Sequence, residues 1–227
     1  MKKTFFTEAA YAIGIAILAI GTAFMALADF GMSMIVAPAY VLHLKISEYL
    51  PFFSFGMAEY VLQSVLILAL ALIQRRFKKS YLFSFVTAVL YGFLLDGAVL
   101  AVSFLPFTSI IFRVFCYVFG LLLCTAGVAL LFNTYISPEA YELFVKEISE
   151  KLRMPLSKFK TIYDCTSCLI AILLSLAFWG ISDLLGVNWG TIVCAVVNGW
   201  LIGRMDVLFH RTFEFRDGLP LRKHFES

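Results

Sequence analysis

The stretch MALADFGMSMIVAP, residues 25–38, decides how the chain is organised. A long apolar run stops at Asp29, Gly31 and Ser33, then resumes for too few residues to cross a membrane. The Asp29-Phe30-Gly31 break ends one helix, and the Ser33 hydroxyl is placed to cap a second by accepting a backbone N–H from its first turn. That second helix, ending near Lys45, has about 12 residues and a length of about 18 Å at 1.5 Å per residue. It cannot span a hydrocarbon core of about 30 Å, so it lies at the surface or dips in and returns. Met32, Met34, Ile35 and Val36 make it apolar enough to dip, which non-helical backbone tolerates only against protein or a water-filled cavity.

Composition puts the whole chain in the same solvent. The 227 residues are 62% hydrophobic and 15% charged, with a mean hydropathy of +0.92. That leaves too little polar material to wrap a water-facing surface around a core. Six runs approach the roughly 20 apolar residues a spanning helix needs: residues 9–28, 52–73, 80–104, 109–132, 157–181 and 189–209. The first follows a basic Met1-Lys2-Lys3 start, but it is long for a signal-peptide core and lacks a small-residue cleavage site, so it reads as a retained helix. With the N-terminus inside, every basic residue of the eighteen except Lys45 and Arg113 falls on the inner side. The positive-inside rule then gives two cytoplasmic termini. Trp179 and Trp189 flank the last outer turn, as an aromatic belt would. The net charge of +3 follows from the inner loops and is no sign of a nucleic-acid partner.

The chain also repeats itself. GTAFMALADFGMS from Gly21 aligns with GVALLFNTYISP from Gly127, and PAYVLHLKIS from Pro38 with PEAYELFVKEIS from Pro138. GMAEYV around Glu59 aligns with TIYDCT around Asp164, and YGFLLDG from Tyr91 with NGWLIGR from Asn198. The offsets are 106, 105 and 107 residues, one register across three helices. Three crossings are an odd number, so the second half enters the membrane from the opposite side, the plan of many secondary transporters. In the second half Ser137 is placed to cap and Pro138 to take the first helical position. Ala140, Leu143, Phe144, Ile148 and Leu152 then follow at helical spacing, with Glu142, Lys146, Glu150 and Lys151 on the other side, as in an interfacial amphipathic helix.

The expected fold is therefore an all-α integral membrane protein of six transmembrane helices. They form two inverted-topology three-helix repeats, residues 1–106 and 107–210, each with a short interfacial or re-entrant helix after its first span. Residues 1–227 make one membrane domain, ending in a cytoplasmic tail, 211–227.

GTAFMALADFGMSMIVAPAYVLHLKIS resembles the opening of the YczE/YyaS/YitT family of bacterial multi-pass membrane proteins, whose first helix ends in an Ala, an acid, Leu-Gly and a Ser-Pro-like break. The resemblance continues at MPLSKFKTIYD from Met154 and GVNWGTIVCAVVNGWLIG from Gly186. Here Met34 to Ala37 precede Pro38, where the family more often has Pro directly after Ser. The resemblance implies a multi-pass fold in a bacterial cell membrane rather than any activity.

Chemistry is sought in the ionisable residues, because a charge at the centre of a spanning helix costs roughly 2.5–3.5 kcal/mol on insertion scales. Glu59 lies about 10 Å into the second span, and the repeat makes Asp164 its partner. Two acids related by a pseudo-two-fold could hold a proton or Na⁺ and trade it for a solute; equally, each could hydrogen-bond across helices and fix packing. Gln63 shares the helical face of Glu59. Asp96, between Gly92 and Gly97, could line a path or pack. Asp29, Ser33, Asn133 and Asn198 are further candidates for solute or ion binding, and Asn188 is polar enough to join them or to cap a helix. Arg113 could serve as counter-ion to Asp96 or Glu59, or snorkel, and Arg204 and Asp206 could gate the inner end.

Cys165 and Cys168 form a C-x-x-C, but small residues are also favoured at helix contacts, and five cysteines show no framework spacing. His43, His210 and His224 have no ligand spacing to that pair, and no phosphate loop or hydrolase motif is present. No metal, cofactor or catalytic residue is therefore assigned. The reading is a secondary transporter or exporter of an unidentified small solute, with proton or Na⁺ coupling open and homodimerisation a candidate assembly. The alternatives are a scaffold, receptor or substrate-capture subunit acting through residues 137–153 and the tail, and an intramembrane enzyme using Cys165 and Cys168.

Overall fold

Hydrocarbon leaves a backbone N–H or C=O nothing to bond with, so segments that span it must satisfy their own backbone, as helices do. The computed structural model, which describes residues 2–106, 108–180, 187–220 and 222, follows that rule throughout the apolar runs. The order is β1 (Lys3–Phe6), α1 (Thr7–Ala28), α2 (Ala37–Ser47), α3 (Phe55–Gln74), α4 (Lys79–Val102), α5 (Ile110–Phe132), α6 (Ala140–Lys151), α7 (Leu156–Trp179), α8 (Trp189–Thr212) and β2 (Phe213–Arg216). Helices α1, α3, α4, α5 and α7 (from Lys158) are long and apolar enough to cross a membrane. Helix α8 makes a sixth span if its arms, Trp189–Ala195 and Val197–Thr212, inclined at 50°, are taken together. The protein is a multi-pass membrane protein. Ile181, Gly186, Lys223 and His224, which the sequence reading used, lie outside the described residues.

Helices α1 and α5 form the centre, and glycines set their distance. A Cβ built on Gly21 would lie 2.7 Å from the Gly120 carbonyl oxygen, and one on Gly120 would lie 2.7 Å from that of Gly21. Gly14 and Gly127 approach in the same reciprocal way, at 3.1 and 2.8 Å. The two contacts run in opposite order along the two chains, so the helices are antiparallel. Small residues let backbones meet this closely, and between apolar helices in lipid such packing is a main source of association. Around this pair, α4 packs on α1 and α8 on α5, while α3 meets α4 and α7 meets α8. The short helices cross over: α2 packs on α3 and α7, and α6 on α3, α4 and α7.

The break after α1 is built around two positive φ angles. Asp29 ends the helix in the left-handed region at φ 56°, and Gly31 follows at φ 95°, where a side chain would strike Thr191 and the Asn188 backbone. The Phe30 carbonyl accepts the Gly190 N–H at 2.7 Å, so the break docks on the start of α8. Ser33 does not cap α2 as expected. Val36 is the N-cap without a side-chain bond, and Ser33 supplies its carbonyl to the N–H groups of Val36 and Ala37. The intervening turn leaves Pro38 in the first helical turn, where its missing N–H has no cost.

The second short helix also starts later than its sequence pattern predicts. Glu139 is the N-cap of α6. Ser137 and Pro138 remain upstream, their carbonyls accepting hydroxyl bonds from Thr87 (3.1 Å) and Ser84 (2.7 Å) of α4. The two sides of α6 otherwise fall as the sequence pattern predicts, with Ala140, Leu143 and Ile148 buried and Lys146, Glu150 and Lys151 exposed, but Glu142 turns inward at 9% exposure and Leu152, expected on the apolar side, is 54% exposed. In α7 Pro155 takes the N-cap position and Ser157 lies inside the helix.

The chain ends depart from an all-α plan. Residues 3–6 and 213–216 pair as parallel strands, with Phe5 packed against Phe213 and Phe215. Glu8 accepts the Gly218 and Leu219 N–H groups and the Tyr135 hydroxyl, and Thr7 bonds Asp217. Both termini therefore lie on one face of the bundle.

Gly21→Ala is expected to lower the unfolding free energy in detergent by about 1–3 kcal/mol, the usual cost of overpacking. Gly97→Ala, where an added Cβ meets nothing within 4 Å, should leave it unchanged or raise it slightly. Equal effects at the two positions would remove the α1–α5 contact from its central place.

Candidate functional site

Helix α3 carries Glu59 and Gln63 one turn apart, both fully buried. Gln63 Oε1 accepts the Ala140 N–H at 3.1 Å, satisfying one of the donors that every helix start leaves unpaired. Its amide nitrogen turns back to Glu59 Oε2 at 3.4 Å, and the Tyr141 hydroxyl donates to the same oxygen at 2.9 Å. Glu59 Oε1 has no hydrogen-bond partner among the described residues.

Three further acids gather here. Glu139 is 6% exposed and its Oε1 also lacks a partner among the described residues. Glu142 forms an ion pair with Lys160 at 2.7 Å, at side-chain exposures of 9% and 12%. Asp164, one turn after Lys160 on α7, is buried and its Oδ1 has no hydrogen-bond partner among the described residues. Burial pushes the Glu139 carboxyl well above the usual carboxylate range, and the neighbouring Glu59 and Glu142 charges push it the same way. The Tyr141 phenol is raised by burial and by Glu59, so it stays a donor.

Two spaces meet at this cluster. A small cavity of about 40 Å³ is lined by Thr22, Ser33, Tyr91, Cys124, Glu139, Tyr141, Glu142 and Asn198 among others, with room for a few water molecules. Tyr91 donates to Thr22 at 2.9 Å on its wall. A vestibule of about 570 Å³ is lined by Asn133, Glu142, Lys146, Lys160, Asp206 and His210, a size that suits a small organic molecule. Glu142 and Leu131 line both. Asn133 ends α5 beside Tyr135, which bonds Glu8 at the start of α1, so the vestibule opens on the face that carries the termini.

The structure thus brings Glu59, Gln63, Asp164, Ser33 and Asn198 to or beside one buried cluster. It places the other candidates elsewhere. Asp96 accepts from Ser54 and from the Gly56 N–H, holding the start of α3. Arg113 is not a counter-ion to Asp96 or Glu59: it bonds the Ala28 carbonyl at 2.8 Å and pairs with Asp29 at 3.1 Å, at the end of α1. Asn133 donates to Asp206 at 2.7 Å, and Asp206 lies 3.3 Å from His210 at the vestibule mouth. Arg204 stacks over Trp200, 5.1 Å from its ring centre. Asn188 caps α8 in a capping box with Thr191. Cys165 is exposed and Cys168 half-buried.

Glu139, Tyr141, Glu142 and Lys160 are the site residues that sequence reasoning missed. Periodicity put Glu142 on a water-facing side because it counts only neighbours along the chain. The Lys160–Asp164 spacing of four residues was a legible sign that α7 turns one polar stripe inward.

The family described as "Family of unknown function (DUF6198)" matches residues 5–207. Neither a curated protein nor a solved structure matches the chain.

Glu142→Gln should destabilise the protein by about 3–5 kcal/mol, because it strands a nearly buried Lys160 charge. The double variant Glu142→Gln/Lys160→Met should recover most of that loss in the same unfolding assay. A single variant as stable as wild type would show the pair to be solvated.

Proposed function

The chain belongs to the DUF6198 family, whose function is unknown, and we propose that it is a small secondary transporter, moving a small solute by rocking residues 1–106 against residues 107–210. The observation that carries this reading is that Glu59 of the first segment is bonded by Tyr141, which lines a small cavity together with Glu139 and Glu142 of the second, beside a vestibule of about 570 Å³.

The packing supports two structurally related halves. Shifting the chain by 106 residues carries Gly14 onto Gly120 and Gly21 onto Gly127, so it exchanges the two reciprocal glycine contacts. Exchanging α1–α4 with α5–α8 likewise turns the α1·α4, α2·α7 and α2·α3 contacts into α5·α8, α6·α3 and α6·α7, all of which occur. An inverted repeat accounts for both, and alternating access in such folds is largely the rocking of one repeat on the other.

The two ends differ as a transporter caught open to one side would. At the far end the 29–33 break docks on α8 and Arg113 pairs with Asp29, whose side chain is 78% exposed, so the pair acts by position more than by energy. At the near end Asn133, Asp206 and Arg204 stand around or close to the vestibule mouth. We place the membrane as the bacterial cell membrane, with the termini and the vestibule cytoplasmic by the positive-inside rule. The sequence resemblance to the YczE/YyaS/YitT group and the homodimer remain proposals of the same kind. The docking-subunit reading has less to present, because the first tail residues pair with β1, although Lys146, Glu150 and Lys151 of α6 remain exposed.

Thermal unfolding of the detergent-purified protein across a panel of ions and small metabolites tests the reading. A ligand at one hundred times its Kd stabilises the folded state by about 2.7 kcal/mol. A solute that raises the midpoint of wild type but not of Glu59→Gln or Asp164→Asn, and that then crosses proteoliposome membranes, is the expected result. A panel without any stabilising solute, with both variants as stable as wild type, would overturn it.

A further inference from the structure

We propose that the vestibule binds a small organic anion, its carboxylate held by Lys146 and its apolar body laid against Gly199 and Gly203 of α8. That this anion is also the solute moved rests on the transporter reading; the binding site does not.

The charges in the vestibule wall are unevenly committed. Both acids described there are engaged. Glu142 pairs with Lys160 at 2.7 Å, and Asp206 accepts the Asn133 amide at 2.7 Å and lies 3.3 Å from His210. A cationic solute has to displace one of these partners. Lys146 is exposed, and its ammonium bonds nothing among the described residues. An anion meets a cation that has no partner to give up. Further in, Lys160 spends on Glu142 one of the three hydrogens of its ammonium, so it too has donors left for an incoming carboxylate.

Lys146 also joins the vestibule to a second space. With Thr134 it lines both the vestibule and a basin of about 730 Å³, whose wall includes Arg76, Lys78, Arg222, Glu147 and Glu150. Four basic side chains there, counting Lys146, stand against two acids, and Glu147 is already paired with Lys78. A cleft with an excess of one sign concentrates ligands of the other and speeds their entry. The helix α6 carries the sequence of spaces on one face, because Glu139, Glu142 and Lys146 follow at intervals of three and four residues. Glu139 lines the small cavity, Glu142 the cavity and the vestibule, and Lys146 the vestibule and the basin. Lys146 stands about 6 Å beyond Glu142 along the helix axis, where an anion gathered by the basin enters.

The rest of the vestibule fits a carbon body rather than an inorganic ion. Leu131, Phe132, Pro138 and Ile202 share its wall with Gly199 and Gly203, which lie one turn apart. Gly14, Gly21, Gly120 and Gly127 are explained by close helix contacts, but a Cβ added to Gly199 or Gly203 meets nothing within 4 Å. Glycine weakens a helix interior, and here no neighbouring helix requires it. What the two residues provide is a stretch of α8 without side chains along the vestibule, which is room for a ligand. One uncommitted ammonium matches a single negative charge, and a space of about 570 Å³ admits a body the size of a ring or a short alkyl chain.

Thermal unfolding of the full chain in lipid nanodiscs, with probes of one shape and different charge, tests the site. The probes are benzoate, benzylamine and benzyl alcohol, then hexanoate, hexylamine and hexanol, with inorganic phosphate alongside. At least one carboxylate should raise the midpoint while its amine, its alcohol and phosphate do not. Lys146→Gln should weaken that carboxylate about tenfold, the loss of one charged hydrogen bond. Gly203→Leu, which fills the wall, should abolish the shift. Both substitutions fall where nothing is packed, so the ligand-free variants should unfold at the wild-type midpoint. No shift with either carboxylate, an equal shift with an amine, an alcohol or phosphate, or binding unmoved by both substitutions would each overturn the anion site. A carboxylate that binds through Lys146 but never crosses proteoliposome membranes would sink the transporter reading and keep the site. A translocated solute that is neutral or cationic would keep the transporter and sink the anion.

Discussion

The close approach of α1 and α5 is the constraint on which the other contacts depend. Lipid tails are as apolar as leucine side chains, so burying leucine gains little inside a membrane, and van der Waals fit has to hold helices together. Gly14, Gly21, Gly120 and Gly127 remove the side chains that would keep the two axes apart. With that pair in place, α4 and α8 pack on opposite partners and α3 and α7 flank them. The short helices α2 and α6 then each reach a long helix from the other part of the chain, and α6 carries the acids into contact with α3 and α7.

Carboxyl groups stay inside such a bundle only where the surrounding backbone needs them or where they hold charge for a purpose. Asp96 belongs to the first kind, since it accepts the Gly56 N–H at the start of α3, as the Gln63 amide accepts the Ala140 N–H at the start of α6. Glu142 is matched by Lys160. Glu59, Glu139 and Asp164 each keep an oxygen that the described residues leave unpartnered, which is costly in a packed interior and makes them the candidates for a functional role. Glu142 and Lys160, rather than these three, line the vestibule.

The chain ends add a different constraint. The β1–β2 pair and the Glu8 contacts tie the start of α1 to the exit of α8. Tyr135 after α5 joins the same cluster, so three helix ends on that face are connected by hydrogen bonds. Any rocking of the two segments has to bend this link or turn about it.

Hydropathy and loop charge alone were enough to reveal a multi-pass membrane protein with a non-spanning segment after Asp29, because lipid permits so few backbone solutions that run length decides them. Glu59 and Gln63 could be singled out the same way, since a polar group deep in an apolar run is conspicuous without any partner being known. Glu139, Tyr141, Glu142 and Lys160 could not. Their segments are polar enough to pass for water-facing surface, and only the packing of α6 against α3 and α7 turns them inward. Arg113 is the reverse case: the sequence offered it Asp96, Glu59 or the headgroups, while the actual partner, Asp29, is set by where the antiparallel α1 ends. Periodicity along a chain records which residues share a helix face. What that face meets depends on contacts between residues some eighty positions apart, and only the folded molecule decides those.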